Sequence, residues 1–248
     1  CMECKRSNAV CVLVARGEAG LTAAVQRLSP LKAPGRSVSF VVLDVTRHDA
    51  FEQLVAELVK KNLFVDVLVN NAGMGLAGSF ASHTSSEVDD LVRLNVAAVS
   101  RLMHAAIADM RARGHGHIIN VASLGGYVPG PYQAAYYASK AYVISLSEAV
   151  DAELRGSGVR VSVVAPGPVD TGFHKSMGAD DAFYRRLLPS MTPDQVARSV
   201  YRGYRLGLRV IVPGLVNRFM SVAVRVLPHP IAVPLIGWLL KPRGGDGS

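Results

Sequence analysis

The sequence predicts a doubly wound α/β fold: a mostly parallel sheet with helices on both faces. Three observations predict it. Short apolar runs alternate with longer stretches of helical periodicity, the order expected of strand–helix units. The runs around Ile118 and Ile119 and around Val161 and Val164 lack the polar alternation of a half-exposed strand, so both faces of the sheet should be covered. Asn, Gly, Ser and Pro gather directly after three of these runs, at 70–73, 123 and 166–171. In open α/β sheets ligands bind at the carboxyl ends of the strands.

The elements follow in order. Residues 10–15 read as a strand and 19–28 as a helix. Residues 37–43 are the next strand and 49–61 the next helix. A third strand covers 65–69. Thr84-Ser-Ser-Glu87 has the spacing of a capping box and predicts a helix from there to about 113. Residues 117–121 are a strand, followed by a helix through Tyr136 to about 154. Residues 159–164 are another strand. Thr192-Pro-Asp-Gln195 is a second capping box, with Pro193 at the first helical position, and predicts a helix to about 204. Residues 210–212 make a last short strand. The whole chain, 1–248, reads as one domain, with 213–248 as an apolar C-terminal arm broken into short pieces by Pro228, Pro230 and Pro234.

Composition narrows the function classes. Half of the 248 residues are hydrophobic and 19% are charged, enough apolar material for one large core. The net charge of +8 raises nucleic acid or an anionic membrane as partners. The arginines are scattered, without a basic stripe interleaved with aromatics, which argues against nucleic acid. Cys1, Cys4 and Cys11 include one Cys-x-x-Cys pair but lack a second pair for a zinc site. Reduced thiols in a cytoplasmic protein are the expectation. Neither a secretory signal nor an uninterrupted apolar span is visible.

The chemistry is carried by Tyr136-Tyr-Ala-Ser-Lys140. A phenol and an ammonium four residues apart lie on one helix face. A free tyrosine titrates near ~10, and a nearby lysine charge favours the phenolate. The pair can act as a general acid/base at an alcohol or carbonyl oxygen. Alone it could be a solvated helix face. Three further features agree with it: Ser123 after the strand at 117–121, Asn95 in Leu94-Asn-Val-Ala97, and the turn Asn70-Asn-Ala-Gly73. This set resembles the short-chain dehydrogenase/reductase family, over about residues 10–212.

The resemblance implies roles. Tyr136 exchanges the proton with the substrate, Lys140 supports it and bonds the nicotinamide ribose, Ser123 holds the substrate oxygen, and Asn95 holds a relay water. Asp44, Val45, Asn71, Ala72 and Gly73 would line the adenosine half of the cofactor, and Pro166, Gly167, Val169 and Thr171 the nicotinamide. An acid at the end of the second strand binds the ribose of NAD, whereas an arginine accommodates a 2′-phosphate. Ala15 stands in the acid's place and Arg16 follows. NADP(H) is therefore the expected cofactor and NAD(H) the alternative. No metal is implied. The substrate would be a small carbonyl compound or alcohol, lipophilic if Tyr127, Met177, Phe183 and Tyr184 wall the pocket.

The family also places a strand, a Thr-Gly-x-x-x-Gly-x-Gly turn and a helix ahead of the strand matched by Val10. Residues 1–9 carry no such turn. A truncated or mis-started sequence and a natural loss of the phosphate loop are both open. Loss of that central strand would leave two inner sheet edges, which either pair with each other or stay open. Weak NADPH binding and low stability are expected in both cases. In an alternative register, residues 10–15 are strand one, Gly17 and Gly20 form a reduced phosphate loop, and Asp44 binds the ribose. Gly73-Met-Gly-Leu-Ala-Gly78 matches a dinucleotide fingerprint in letters only, since six residues separate it from the next helix.

The competing classes are an oxidoreductase, a catalytically silent protein of the same fold, and a membrane-associated binding module. The arm at 215–240 can lie in a membrane interface, or pack on the body or on a partner subunit of a homo-oligomer.

Overall fold

The computed structural model describes residues 10–28, 37–178 and 190–241, the side chains of His174 and Lys175 excepted. Phe183 and Tyr184 lie outside the described residues. The first half runs β1 (Val10–Ala15), α1 (Glu18–Leu28), β2 (Ser37–Val42), α2 (Ala50–Val59), β3 (Val67–Asn70), α3 (Ser85–Val92), a π turn (Arg93–Ala98) and α4 (Val99–Arg113). The second half runs β4 (Gly116–Val121), a 3₁₀ turn (Leu124–Tyr127), α5 (Ala134–Glu153), β5 (Val159–Val164), α6 (Phe173–Ser176), α7 (Pro193–Arg205), β6 (Val210–Ile211), α8 (Leu215–Val226) and α9 (His229–Leu240).

Both capping boxes form. Thr84 Oγ1 accepts from the Glu87 amide at 3.2 Å, and Glu87 accepts from the Thr84 amide at 2.8 Å. Thr192 and Gln195 repeat the exchange at 3.3 and 2.9 Å. Each box satisfies two helix-end amides that would otherwise lack partners.

All strand pairs are parallel. Among the described residues they form two sheets, β1-β2 and β3-β4-β5-β6. Among the described residues no ladder joins β1 to β3, so these two edges do not pair with each other. Val69 on β3 is 52% exposed, which a closed central strand would not be. The two sheets are held by shared helices instead. Leu54 and Leu58 of α2 and Met103, Ala106 and Met110 of α4 form one buried cluster with Ile118 and Val161, against which Val12, Val14 and Leu68 also pack. Burying a large apolar side chain contributes about 1.5–3 kcal/mol, so this cluster ties the two sheets together. Arg101 adds a 2.7 Å bond from α4 to the Thr46 carbonyl beyond β2.

The alternative register places β1 as a central strand. Among the described residues β1 pairs with β2 alone, and Gly17 and Gly20 have open space where a Cβ would point. The second-strand assignment is the one the topology fits. The proline expectation for the arm is corrected. Pro230 stands in the first turn of α9 and Pro234 lies inside the helix, so the arm is two helices rather than several pieces. The donor that Pro234 lacks would serve the carbonyl of Pro230, in the first turn of a short helix, where the loss is small.

Candidate active site

The four side chains expected from the sequence are positioned by three separate elements, and two of them, Asn95 and Lys140, border Gly73. Asn95 sits in the π turn, which widens the helix between α3 and α4, and is 1% exposed. Its Oδ1 accepts from the Met74 amide at 2.9 Å and its Nδ2 donates to the Met74 carbonyl at 2.7 Å. The amide therefore clamps the loop after β3. A second donation reaches Ser139 Oγ at 3.1 Å, and Ser139 donates to the Tyr136 carbonyl at 2.7 Å. This chain couples the π turn to α5, and sequence reasoning missed Ser139 because it reads as a filler between Tyr136 and Lys140.

Tyr136 and Lys140 share the inward face of α5, and both are buried. Lys140 Nζ donates to the Val121 carbonyl at 2.9 Å and lies 5.7 Å from the Tyr136 ring centroid. Burial pushes the Lys140 ammonium down from 10.5 to about 8. A Cβ on Gly73 would stand 3.3 Å from Asn95 Oδ1 and 3.5 Å from Lys140 Nζ. Glycine there keeps the space between those two groups open, next to Asn71 and Ala72.

Ser123 ends β4 in extended backbone, and its Oγ accepts from the Gly125 amide at 3.1 Å. The following turn lies directly on α5. A Cβ on Gly126 would come within 2.8 Å of the Lys140 backbone, so only glycine permits this approach. The segment after β5 closes the same end of the sheet. The Leu124 amide donates to the Pro166 carbonyl at 2.9 Å, beside Gly167. Val169 bridges to Met191, and Thr171 Oγ1 accepts from the Phe173 amide at 3.3 Å.

An apolar wall surrounds the Tyr136 ring. Tyr136 is buried with Leu91, Met177 and Leu240, with Met74 and Phe173 packed alongside. The Ala77 amide donates to the Met177 carbonyl at 3.0 Å and joins the loop after β3 to the one after β5. Met177 therefore packs in the same cluster as Tyr136. Tyr127 belongs to a different cluster with Val99 and Ile144 and lies beneath the Arg225 guanidinium at 3.8 Å. Leu91 and Leu240 were not anticipated, because an apolar residue in a helix reads first as core.

The far end of the site is polar. Arg16, Asp44 and Arg47 line an open depression of about 440 Å³. Asp44 Oδ1 accepts from the Thr46 amide at 2.9 Å and from Thr46 Oγ1 at 2.7 Å. These bonds, then the nearby Arg16 and Arg47, hold its carboxyl below the usual range. Val45 lines the adjoining depression. Arg47 was missed because an arginine following an acid looks like any solvated ion pair. It is indeed paired with Asp49 at 3.0 Å. Gly73–Gly78 forms an extended loop that does not open a helix, and no group of three potential metal ligands occurs among the described residues.

Comparison with known proteins agrees with this geometry. The profile of the family described as short chain dehydrogenase matches residues 1–182. A ketoacyl reductase of Nostoc sp. is 32% identical over 201 residues, covering 81% of this chain and 68% of its own length. A 3-ketodihydrosphingosine reductase of Bacteroides thetaiotaomicron is 38% identical over 136 residues, 55% of this chain and 51% of that one. Among solved structures, a short-chain dehydrogenase from Sphingobium yanoikuyae in complex with NADPH has a TM-score of 0.76 at 28% identity, covering 90% of this chain and 85% of that one. The chain belongs to the short-chain dehydrogenase family.

Proposed function

We propose that the protein is an NADPH-dependent reductase of a lipophilic ketone, able to run in reverse on the secondary alcohol. The observation that carries this reading is the buried Tyr136–Lys140 pair, ringed by Leu91, Met177 and Leu240. A polar reacting group on an apolar substrate suits that pocket.

The residues present fit a dinucleotide at both ends. Arg16 and Arg47 would take a 2′-phosphate, Asp44 and Val45 the adenosine, and Lys140 the nicotinamide ribose. Pro166, Gly167, Val169 and Thr171 would border the nicotinamide. When bound, NADPH supplies a hydride to the carbonyl carbon. The chain's own residues handle the oxygen. Ser123 Oγ donates to it and orients the carbonyl. The Tyr136 phenol passes its proton to the forming alkoxide and becomes a phenolate. A positive charge on Lys140 favours that phenolate. Asn95 fixes the Met74 backbone and so the floor of the site. The Leu91, Met177 and Leu240 wall excludes water from the proton transfer.

The test is NADPH consumption by the purified chain with a panel of ketones of increasing chain length. Turnover that rises with apolar length supports the reading. Activity restricted to small hydrophilic carbonyls contradicts it.

A second reading, a protein of this fold without turnover, is favoured by one observation: among the described residues no ladder joins β1 to β3. Direct NADPH titration separates the two, since the silent form would bind none.

A further inference from the structure

Helix α8 is amphipathic with its faces reversed. Asn217 and Ser221 point inward and are 5% exposed. Leu215, Phe219, Val222 and Val226 point outward and are 81, 74, 59 and 76% exposed. Their spacing of four, three and four residues places them in one stripe. A surface helix ordinarily turns its apolar stripe to the core. Here the outward stripe has no cover within the described chain. Helix α9 continues the pattern with Ile231, Leu235 and Trp238 outward and Ala232 and Leu240 buried.

We propose that this face docks on an anionic lipid bilayer and lies in its interface. Charge selects this occupant. From residue 195 to 241 there is no Asp or Glu. Arg218 and Arg225, seven residues apart, flank the apolar stripe of α8 on one edge, and Lys241 follows α9. Lipid phosphates complement these cations. A second copy of the chain does not. A two-fold contact sets one patch against itself, so the arginines would meet like charge, and neither α8 nor α9 carries an acid to offset it. The exposed indole of Trp238 suits the boundary between headgroups and acyl chains. With twelve residues, α9 is about 18 Å long and too short to cross a bilayer, so it lies on the membrane.

The docking face also backs onto the catalytic pocket. The inner side of α9 presents Leu240 to Tyr136 and Leu91, with Ile236 and Leu239 packed beside them. One helix thus separates the lipid phase from the apolar wall of the site. A ketone dissolved in the bilayer would have a short apolar path to Tyr136. That last step rests on the proposed reductase activity, whereas the docking itself does not.

Trp238 is the only tryptophan in the chain, so its emission reports on this face alone. The full chain is mixed with phosphatidylcholine vesicles, with or without phosphatidylglycerol, and followed by emission and flotation. The expected result is a blue shift and co-flotation with the anionic vesicles, reduced by salt. The double variant Phe219→Ser, Val222→Ser should weaken partitioning by roughly tenfold or more while its circular dichroism matches the parent. No shift and no flotation would overturn the proposal. So would equal binding to neutral vesicles, or a lipid-free blue shift that grows with protein concentration as a dimer forms. None of these readouts needs turnover, so failure here is distinct from failure of the reductase reading.

Discussion

Lys140 Nζ lies 5.7 Å from the ring centroid of Tyr136 and donates to the carbonyl of Val121 rather than to an acid. The ammonium is buried in a site that supplies only a backbone dipole, and desolvation brings its pKa down to about 8. Below that pH the charge is present beside the phenol. Above it the charge is lost.

This predicts a pH limb. The value of kcat/KM for NADPH, which reports on the cofactor-free enzyme, should fall above pH about 8. Stability should respond with the opposite sign. The folded pKa is lower than the unfolded one, so the unfolded chain binds more protons between about 8 and 10.5, and Lys140 destabilises less as pH rises through that window. A profile of kcat/KM that stays flat well past pH 8 would contradict the assignment.

His117 predicts acid sensitivity. It is buried on β4, with Nε2 2.8 Å from Ser162 Oγ and its ring against Tyr204. Burial first, then Arg160, lowers its pKa from 6.5 to about 4, against an opposing pull from Asp151. The unfolded chain therefore takes up a proton that the folded chain refuses. Stability from this source is intact above pH 6.5 and lost as pH falls through about 4, up to about 3 kcal/mol. Urea titrations across that range should show His117→Asn with a shallower pH slope than the parent. Equal slopes would contradict the account.

Arg16 predicts cofactor choice. It lines the same depression as Asp44 and Arg47. A charge-assisted contact to a 2′-phosphate should favour NADPH over NADH by roughly tenfold to a hundredfold. Ala15→Asp with Arg16→Ser should shift the preference toward NADH. Arg47→Ala should act more weakly, because Arg47 is already held by Asp49. Equal affinities for the two cofactors in the parent would remove the basis for the assignment.

Much of this architecture was legible in the sequence, for identifiable reasons. Strands 10–15 and 159–164 match to the residue because turn residues bound both apolar runs. The capping boxes fixed the starts of α3 and α7, since their side-chain exchange is local. What is long-range was not legible. Nothing in Arg93–Ala98 signals a π turn, because the bonds that accompany it run from Asn95 to Met74, a distant loop. Leu240 reaches Tyr136 from more than a hundred residues away. The reversed faces of α8 could not be read without knowing that Asn217, rather than Phe219, points inward to bond the Pro213 carbonyl.

Proton exchange between Tyr136 and the substrate is tested by Tyr136→Phe, with NADPH affinity and kcat measured on the same preparation. The expected result is a kcat lower by a hundred- to ten-thousand-fold, about the range of a general acid, while NADPH binding and thermal stability stay near the parent's. A Tyr136→Phe enzyme with kcat within a few-fold of the parent would contradict it.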